Sequence, residues 1–464
     1  MKRFGWAWFA ASSMLLRSLM GPAAAETRPQ YGGTLRIAML ESPGSLDPSD
    51  ATQPDSLARR NLLGLIFETL VTVDERGRVQ PALAVDWQAA SGKQRWQFRL
   101  RRGVKFHDGS GLTAEIAASA LRTANPSWKV FAEGESVIVE MDRADADFPA
   151  ELALPHNSMV KRMGNGKLSG TGPFHIEDWQ AGKKLTLGAE ENQWRGRAFV
   201  DRIEVEMGRN FHDQLVELDL GRADLIEVPP ETGPRVATEG RRVSASQPME
   251  LVALVFSGEA QSAEEKLLRR ALAHSVERAS MRGAVLQGAG QAAASILPNW
   301  ISGFGFAFAG AANLELARRE REQVRSAPNL TVGYDANDSL ARVLAERVAL
   351  NARDAGISLQ TTTAAKSDLR LARIALPSAD PWVALRGVAE SLGVALPRTS
   401  GTSVEELYAA ERGLLAGQRV IPLFHLPAEW AASNALQDWS PAADGGWRLE
   451  DVWLGKVAMG KSRP

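Results

Sequence analysis

The chain has 464 residues, 44% of them hydrophobic and 23% charged, with 54 basic against 55 acidic side chains. That ordinary globular composition excludes disordered, collagenous and coiled-coil classes, and the balanced charge argues against a nucleic acid as partner. Cysteine is absent, which removes disulfides, thiolate metal sites and a cysteine nucleophile together.

Lys2 and Arg3 open the chain, an apolar run follows from Phe4 to Leu16, and Ala23-Ala24-Ala25 forms an A-x-A site before Glu26. Residues 1–25 are therefore expected to be a secretory signal peptide, too short in its apolar part to stay as an anchor. No later stretch offers 18 consecutive apolar residues, so the exported product is expected to be soluble, without a direct membrane anchor.

Period-2 alternation predicts strands at Thr34–Leu40, Arg95–Leu100, Ser136–Met141, Phe174–Trp179, Lys184–Glu190, Ile203–Met207, Asp224–Val228 and Glu250–Phe256. Asp55 or Ser56 can start a helix carrying Leu62, Leu63, Ile66 and Leu70. Ser262-Ala263-Glu264-Glu265 is a capping box that predicts a long helix to about Gln287. Thr402-Ser403-Val404-Glu405 predicts another, stopping near Gly417. Between these boxes, Leu330–Tyr334, Asp338–Ala355 and Ile357–Thr361 spell a β-α-β unit, whose strands should be parallel.

Reaction chemistry is hard to find. No G-x-S-x-G elbow, H-E-x-x-H, Walker A or EF-hand loop occurs. Gly288-Ala289-Gly290-Gln291-Ala292-Ala293 matches a dinucleotide fingerprint but follows a helical run, not a strand, and so is read as a helix exit loop. The six histidines form no i, i+4 pair, and His107-Asp108-Gly109 is first of all a turn. No cofactor and no metal are expected, and the chain is not expected to be an enzyme.

Several segments, in order, resemble the family 5 extracytoplasmic solute-binding proteins of ABC importers, the binders of peptides, dipeptides and nickel. Gly32-Gly33-Thr34-Leu35-Arg36-Ile37 with Ser45-Leu46-Asp47-Pro48 is similar to the family's opening strand and "sLDP" turn. Phe67-Glu68-Thr69-Leu70-Val71, Pro81-Ala82-Leu83-Ala84 and Trp87 continue it. Phe98-Arg99-Leu100-Arg101-Arg102-Gly103-Val104-Lys105-Phe106-His107-Asp108-Gly109 is the most specific match. Gly170-Thr171-Gly172-Pro173-Phe174, Asn192–Arg195, Leu220–Asp224 and Arg269–Leu272 follow.

The resemblance implies an α/β fold of mixed α and β elements, a bilobed clamshell with mixed sheets and an inserted accessory subdomain. It implies a main lobe of 26–45, 165–256 and 430–464, an inserted subdomain at 46–164 and a second lobe at 257–429. Hinge crossings are expected near Phe256 and near Ala428, and a monomer is expected. The function implied is a periplasmic substrate-binding subunit that captures a small-molecule or peptide ligand and delivers it to ABC permease subunits.

The family's ligand strand usually reads "gW-x-x-D…DP", whereas this chain has Ile374-Ala375-Leu376-Pro377-Ser378-Ala379-Asp380-Pro381-Trp382. Asp380 is the acid that remains, either an α-ammonium partner or a turn residue before proline. With Trp382, Ser45 and Leu46 it makes up the candidate ligand-binding set. Alternatives are the same fold holding a nickel chelate, an opine or a sugar, and, more remotely, a secreted hydrolase.

Overall fold

The computed structural model describes residues 28–164, 166–394, 396 and 403–455. The expected signal peptide lies outside these residues. Among them, eleven strands form one mixed sheet. Its order is Phe174–Gln180, Lys184–Ala189, Arg202–Glu206, Thr34–Ala38, Leu225–Val228, Val420–Ala432, Arg242–Phe256, Leu369–Ala375, Leu330–Gly333 and Leu359–Thr362, with the short Gln291–Ala292 strand also on Val420–Ala432.

Alternation along the strands sorts the two faces. In the first half, Leu35, Ile37, Leu185, Leu187, Ile203 and Val205 pack beneath the Leu57–Ile66 helix. Ala38, Ile226 and Val228 on the opposite face meet the Phe211–Asp219 and Gly233–Thr238 helices. In the second half, Val252, Leu254 and Phe256 face the Ala263–Ser275 and Ser339–Asp354 helices. Met249, Leu251 and Ala253 face the Pro381–Ser391 and Val404–Ala416 helices. Both halves are thus covered on two sides, as a sheet with apolar residues on both faces requires.

The β-α-β unit forms as expected: Leu330–Gly333 pairs in parallel with Leu359–Thr362 around the Ser339–Asp354 helix, and Gly356 at φ 76° follows that helix. A four-stranded antiparallel sheet, Ala84–Ala89, Arg95–Leu100, Ser136–Glu140 and Lys129–Glu133, carries a separate core with Trp96, Phe98 and Phe148. The Gly170-Thr171-Gly172 crossing connects this small subdomain with the first half. A Cβ on Gly172 would lie 2.7 Å from the Ile66 carbonyl oxygen, while Gly172 N donates to that oxygen at 2.9 Å.

Packing departs from the expected boundaries in two places. Leu46 and the Leu57–Ile66 helix lie in the core of the first half, and the small subdomain's core begins at Leu70, not at residue 46. Glu250–Phe256 already pairs with Leu369–Ala375 in the second half, so that half takes in strand residues before 257. The capping box at Ser262 forms, with Ser262 Oγ accepting from Glu265 N at 3.0 Å. The helix it opens stops at Ser275, however, and a second runs over Arg278–Ala284. Val276 is extended at the break, where the Arg278 guanidinium binds the Ala273 and Val276 carbonyls. A side chain that satisfies the last carbonyls of a helix ends it without glycine or proline, and so leaves no breaker to see in the sequence.

Candidate functional site

The strands Arg242–Phe256 and Val420–Ala432 pair with each other and run through both halves. Leu225–Val228 lies beyond them on the first side and Leu369–Ala375 on the second. Their register shifts between Ala245 and Pro248, and again between Pro248 and Glu250, opposite Pro427. Two prolines without N–H groups and two irregular steps interrupt the ladder here. The irregular steps lie at Ala245–Glu250, away from Phe256, which is buried at the far end of its strand, and on the partner strand they face Pro427–Glu429.

Carboxyl groups line this crossing. Glu227 Oε2 accepts from Leu40 N at 2.8 Å, and burial pushes its carboxyl up to about 7. The Glu429 carboxyl is also pushed up to about 7, first by burial and then by Glu231; the residue is 8% exposed and makes no side-chain hydrogen bond or ion pair among the described residues. Burial raises Glu231 too, whose Oε2 is buried without a partner among the described residues. From the second half, Arg373 reaches Glu250 through Nε at 2.9 Å and Nη2 at 2.7 Å, and Asp338 through Nη1 at 3.2 Å. Its charge is felt by Glu227 and Glu231, as is that of Glu250. Arg373, already shared by two acids, is the cation among these carboxyls.

A second zone joins the halves around Leu376–Arg386. Arg60 Nη1 donates to the Leu376 carbonyl at 2.5 Å while its other nitrogens hold Asp55. The turn at Gly77, with φ 72°, comes so near that a Cβ there would lie 2.8 Å from the Ala379 carbonyl oxygen. Arg386 Nη1 pairs with Asp147 at 3.2 Å, with Asp145 at 4.0 Å, all three side chains being buried. Burial pushes Asp147 up to about 7 against the pull of Arg386.

Asp380 caps the Pro381–Ser391 helix, its Oδ1 accepting from Val383 N at 2.9 Å, and burial raises its pKa. Trp382, 4% exposed, packs with Leu376, Leu385 and Val388, and its indole N–H has no acceptor among the described residues. Ser45 Oγ accepts from Asp47 N at 3.2 Å, and Leu46 is buried in the first half's core. Neighbouring arginines link these two pairs: Arg59 Nη2 donates to the Asp47 carbonyl at 2.6 Å and Arg60 to that of Leu376. The crossing carboxyls were not among the sequence candidates. A signal for them exists: Glu227 stands inside Leu225-Ile226-Glu227-Val228, and Glu429 inside the nearly apolar run Val420–Ala432. An ionisable residue kept in a buried strand is costly unless it has a task.

The family model for bacterial extracellular solute-binding proteins, family 5 Middle, matches residues 78–375. The chain belongs to this family. That family is one of solute-binding proteins and not of enzymes, which sets aside the secreted hydrolase. The oligopeptide-binding protein AppA of Bacillus subtilis is 22% identical over 297 residues, covering 57% of this chain and 54% of AppA. A structure of DppA from Helicobacter pylori with the peptide STSA superposes with a TM-score of 0.76 at 17% identity, over 92% of this chain and 99% of that one. NikA from Brucella suis with Fe(III)-EDTA gives 0.76 at 18% identity, over 91% and 100%. At such identities these two structures establish the shared fold alone. The matches span about a third to about half of the first curated relatives. Among the described residues, no helix of this family 5 protein is long and apolar enough to cross a membrane.

Proposed function

We propose that this family 5 protein, exported by cleavage after Ala25, captures a peptide-like solute with a free ammonium group at the crossing between its halves and passes it to a membrane permease in the periplasm. The observation that carries this reading is Glu429, an acid 8% exposed whose side chain makes no hydrogen bond or ion pair among the described residues, beside Glu231 with its orphaned Oε2. A buried carboxylate without a partner is costly, and a ligand ammonium would offset that cost through charge-assisted hydrogen bonds. Register shifts on both sides of Pro248 support bending there, so that the halves close on the ligand. Asp380 is the competing ammonium partner, weaker because its Oδ1 already caps a helix. Ser45, Leu46 and Trp382 serve this site by holding its walls.

Titration calorimetry against a free and an N-acetylated peptide, on the parent, Glu429→Gln and Asp380→Asn, tests the reading. Loss of the free peptide's advantage in Glu429→Gln is the expected result. Loss only in Asp380→Asn would move recognition to the helix cap. Equal affinities for both peptides in the parent would refute ammonium recognition, and a thermal-shift screen with nickel–histidine and sugars would then find the ligand class. Intact mass of the exported chain should begin at Glu26.

A further inference from the structure

A cavity of about 650 Å³ lies wholly within the second half, lined by residues between Glu277 and Ala312 together with His425. Neither the crossing carboxyls nor Asp380, Trp382, Ser45 or Leu46 lines it. Its volume falls in the range of small-molecule sites.

Two polar side chains on its wall are more than nine-tenths buried and incompletely paired. Arg278 is 6% exposed; Nε donates to the Pro422 carbonyl at 2.9 Å, and Nη1 makes long contacts to the carbonyls of Ala273, Val276 and Gly310. Its Nη2 has no acceptor, and no carboxylate pairs with the guanidinium, among the described residues. Burial alone lowers its pKa to about 10, so the neighbouring Glu277, exposed on the rim, does not compensate the charge. Ser295 is 4% exposed and its hydroxyl makes no hydrogen bond among the described residues. Phe306, Phe308 and several alanines supply an apolar remainder.

We propose that this cavity is a second ligand site, separate from the crossing, which takes a small monocarboxylate with an apolar body. The carboxylate neutralises Arg278 and accepts from Ser295, and the body rests on Phe306 and Phe308. A single buried cation matches one negative charge. A phosphate dianion would leave charge unpaired in a poorly solvated place, which disfavours it. Arg278 also clamps the break between the two helices, a structural role that by itself predicts no preference among ligands.

The test uses 3-phenylpropionate and its uncharged amide as probes, with calorimetry on the exported chain. The carboxylate should bind about tenfold or more tightly than the amide. Ala279→Trp fills the cavity from an exposed wall position and should abolish binding without lowering the melting temperature. Glu429→Gln should leave it unchanged, which separates this site from the crossing and makes its failure distinguishable from failure of the peptide reading. Arg278→Gln, if circular dichroism shows it folded, should erase the preference for the carboxylate. Equal binding of acid and amide, no binding at millimolar concentration, or binding untouched by Ala279→Trp would each overturn the proposal.

Discussion

Gly233 lies directly against Glu429: a Cβ built on Gly233 would overlap the Glu429 Oε2 atom. The constraint here is close approach and not an unusual backbone angle, and the atoms met are the far end of another residue's side chain. A methyl group at 233 must therefore displace the carboxyl that stands at the crossing. Gly233→Ala is expected to lower stability by about 1 kcal/mol or less, because the carboxyl it meets is the far end of a flexible side chain that can turn aside. Combining it with Glu429→Ala should recover most of that loss, whereas Glu429→Gln, which keeps the volume, should not. Urea unfolding of the double-mutant cycle checks this.

Acidity sets the second expectation. Glu227, Glu429, Asp147 and Glu411 all have folded pKa values near about 7, above their ordinary carboxylate values of 3.8–4.5. Between those values and about 7 the folded chain holds more protons than the unfolded one, so stability falls as pH rises through this window. His425, lowered to about 4 from 6.5, works in the opposite direction between those two values. Burial also lowers His107 and His156, but it raises Glu68, Asp224, Glu231, Asp380 and Glu450 as well, so the acids outnumber the three imidazoles and the ligand-free melting temperature should decline from about pH 5 to about pH 7.5. Glu227→Gln and Glu429→Gln should each flatten the decline.

The same titration predicts the reverse trend for ligand. An ammonium group needs Glu429 ionised, so affinity for a free peptide should rise between about pH 5.5 and 7, while the peptide amine remains largely charged. Calorimetry at the two pH values checks this, and an N-acetylated peptide is the control that should show no such rise.

Arg386 carries a larger share of stability. It is the buried cation facing Asp147 and Asp145, and Asp380 also feels its charge. Arg386→Met leaves acids buried without it and should cost about 3–5 kcal/mol near neutral pH. The loss should shrink at pH 5, where Asp147, with its pKa of about 7, is protonated. Denaturant titrations at the two pH values measure the difference.

Trp382 separates packing from ligand contact. Its indole N–H is buried without an acceptor among the described residues, so Trp382→Phe removes an orphaned donor while keeping most of the ring. Stability should change by less than about 1.5 kcal/mol, and peptide affinity should not change. A tenfold loss of affinity at unchanged stability would make Trp382 a ligand contact.

The β-α-β unit was legible because its strands, helix and Gly356 stop are all local patterns, and the covered faces of Thr34–Ala38 and Arg202–Glu206 followed from their alternation. What escaped depends on residues far apart in the chain. The irregular steps of the central ladder lie where Pro248 meets Pro427, a register that neither segment encodes alone. The helix expected to reach Gln287 is cut by Arg278 folding back on its carbonyls. Asp380 drew attention through its neighbours Pro381 and Trp382, and the local bond to Val383 N is the helix cap that such a sequence also specifies. Glu231 and Glu429, from separate loops and strands, come together only in the folded sheet.

Val420–Ala432 is threaded between Leu225–Val228 and Arg242–Phe256, and so completes the middle of the large sheet from late in the chain. Until those residues have been synthesised, the strands that will flank them have exposed, unpaired edges, and neither half can close its core. Pairings this distant in sequence form slowly. In a nascent chain with this topology both halves wait for residues near its end, while the small subdomain, whose four strands and core lie between Leu70 and Met159, can already assemble.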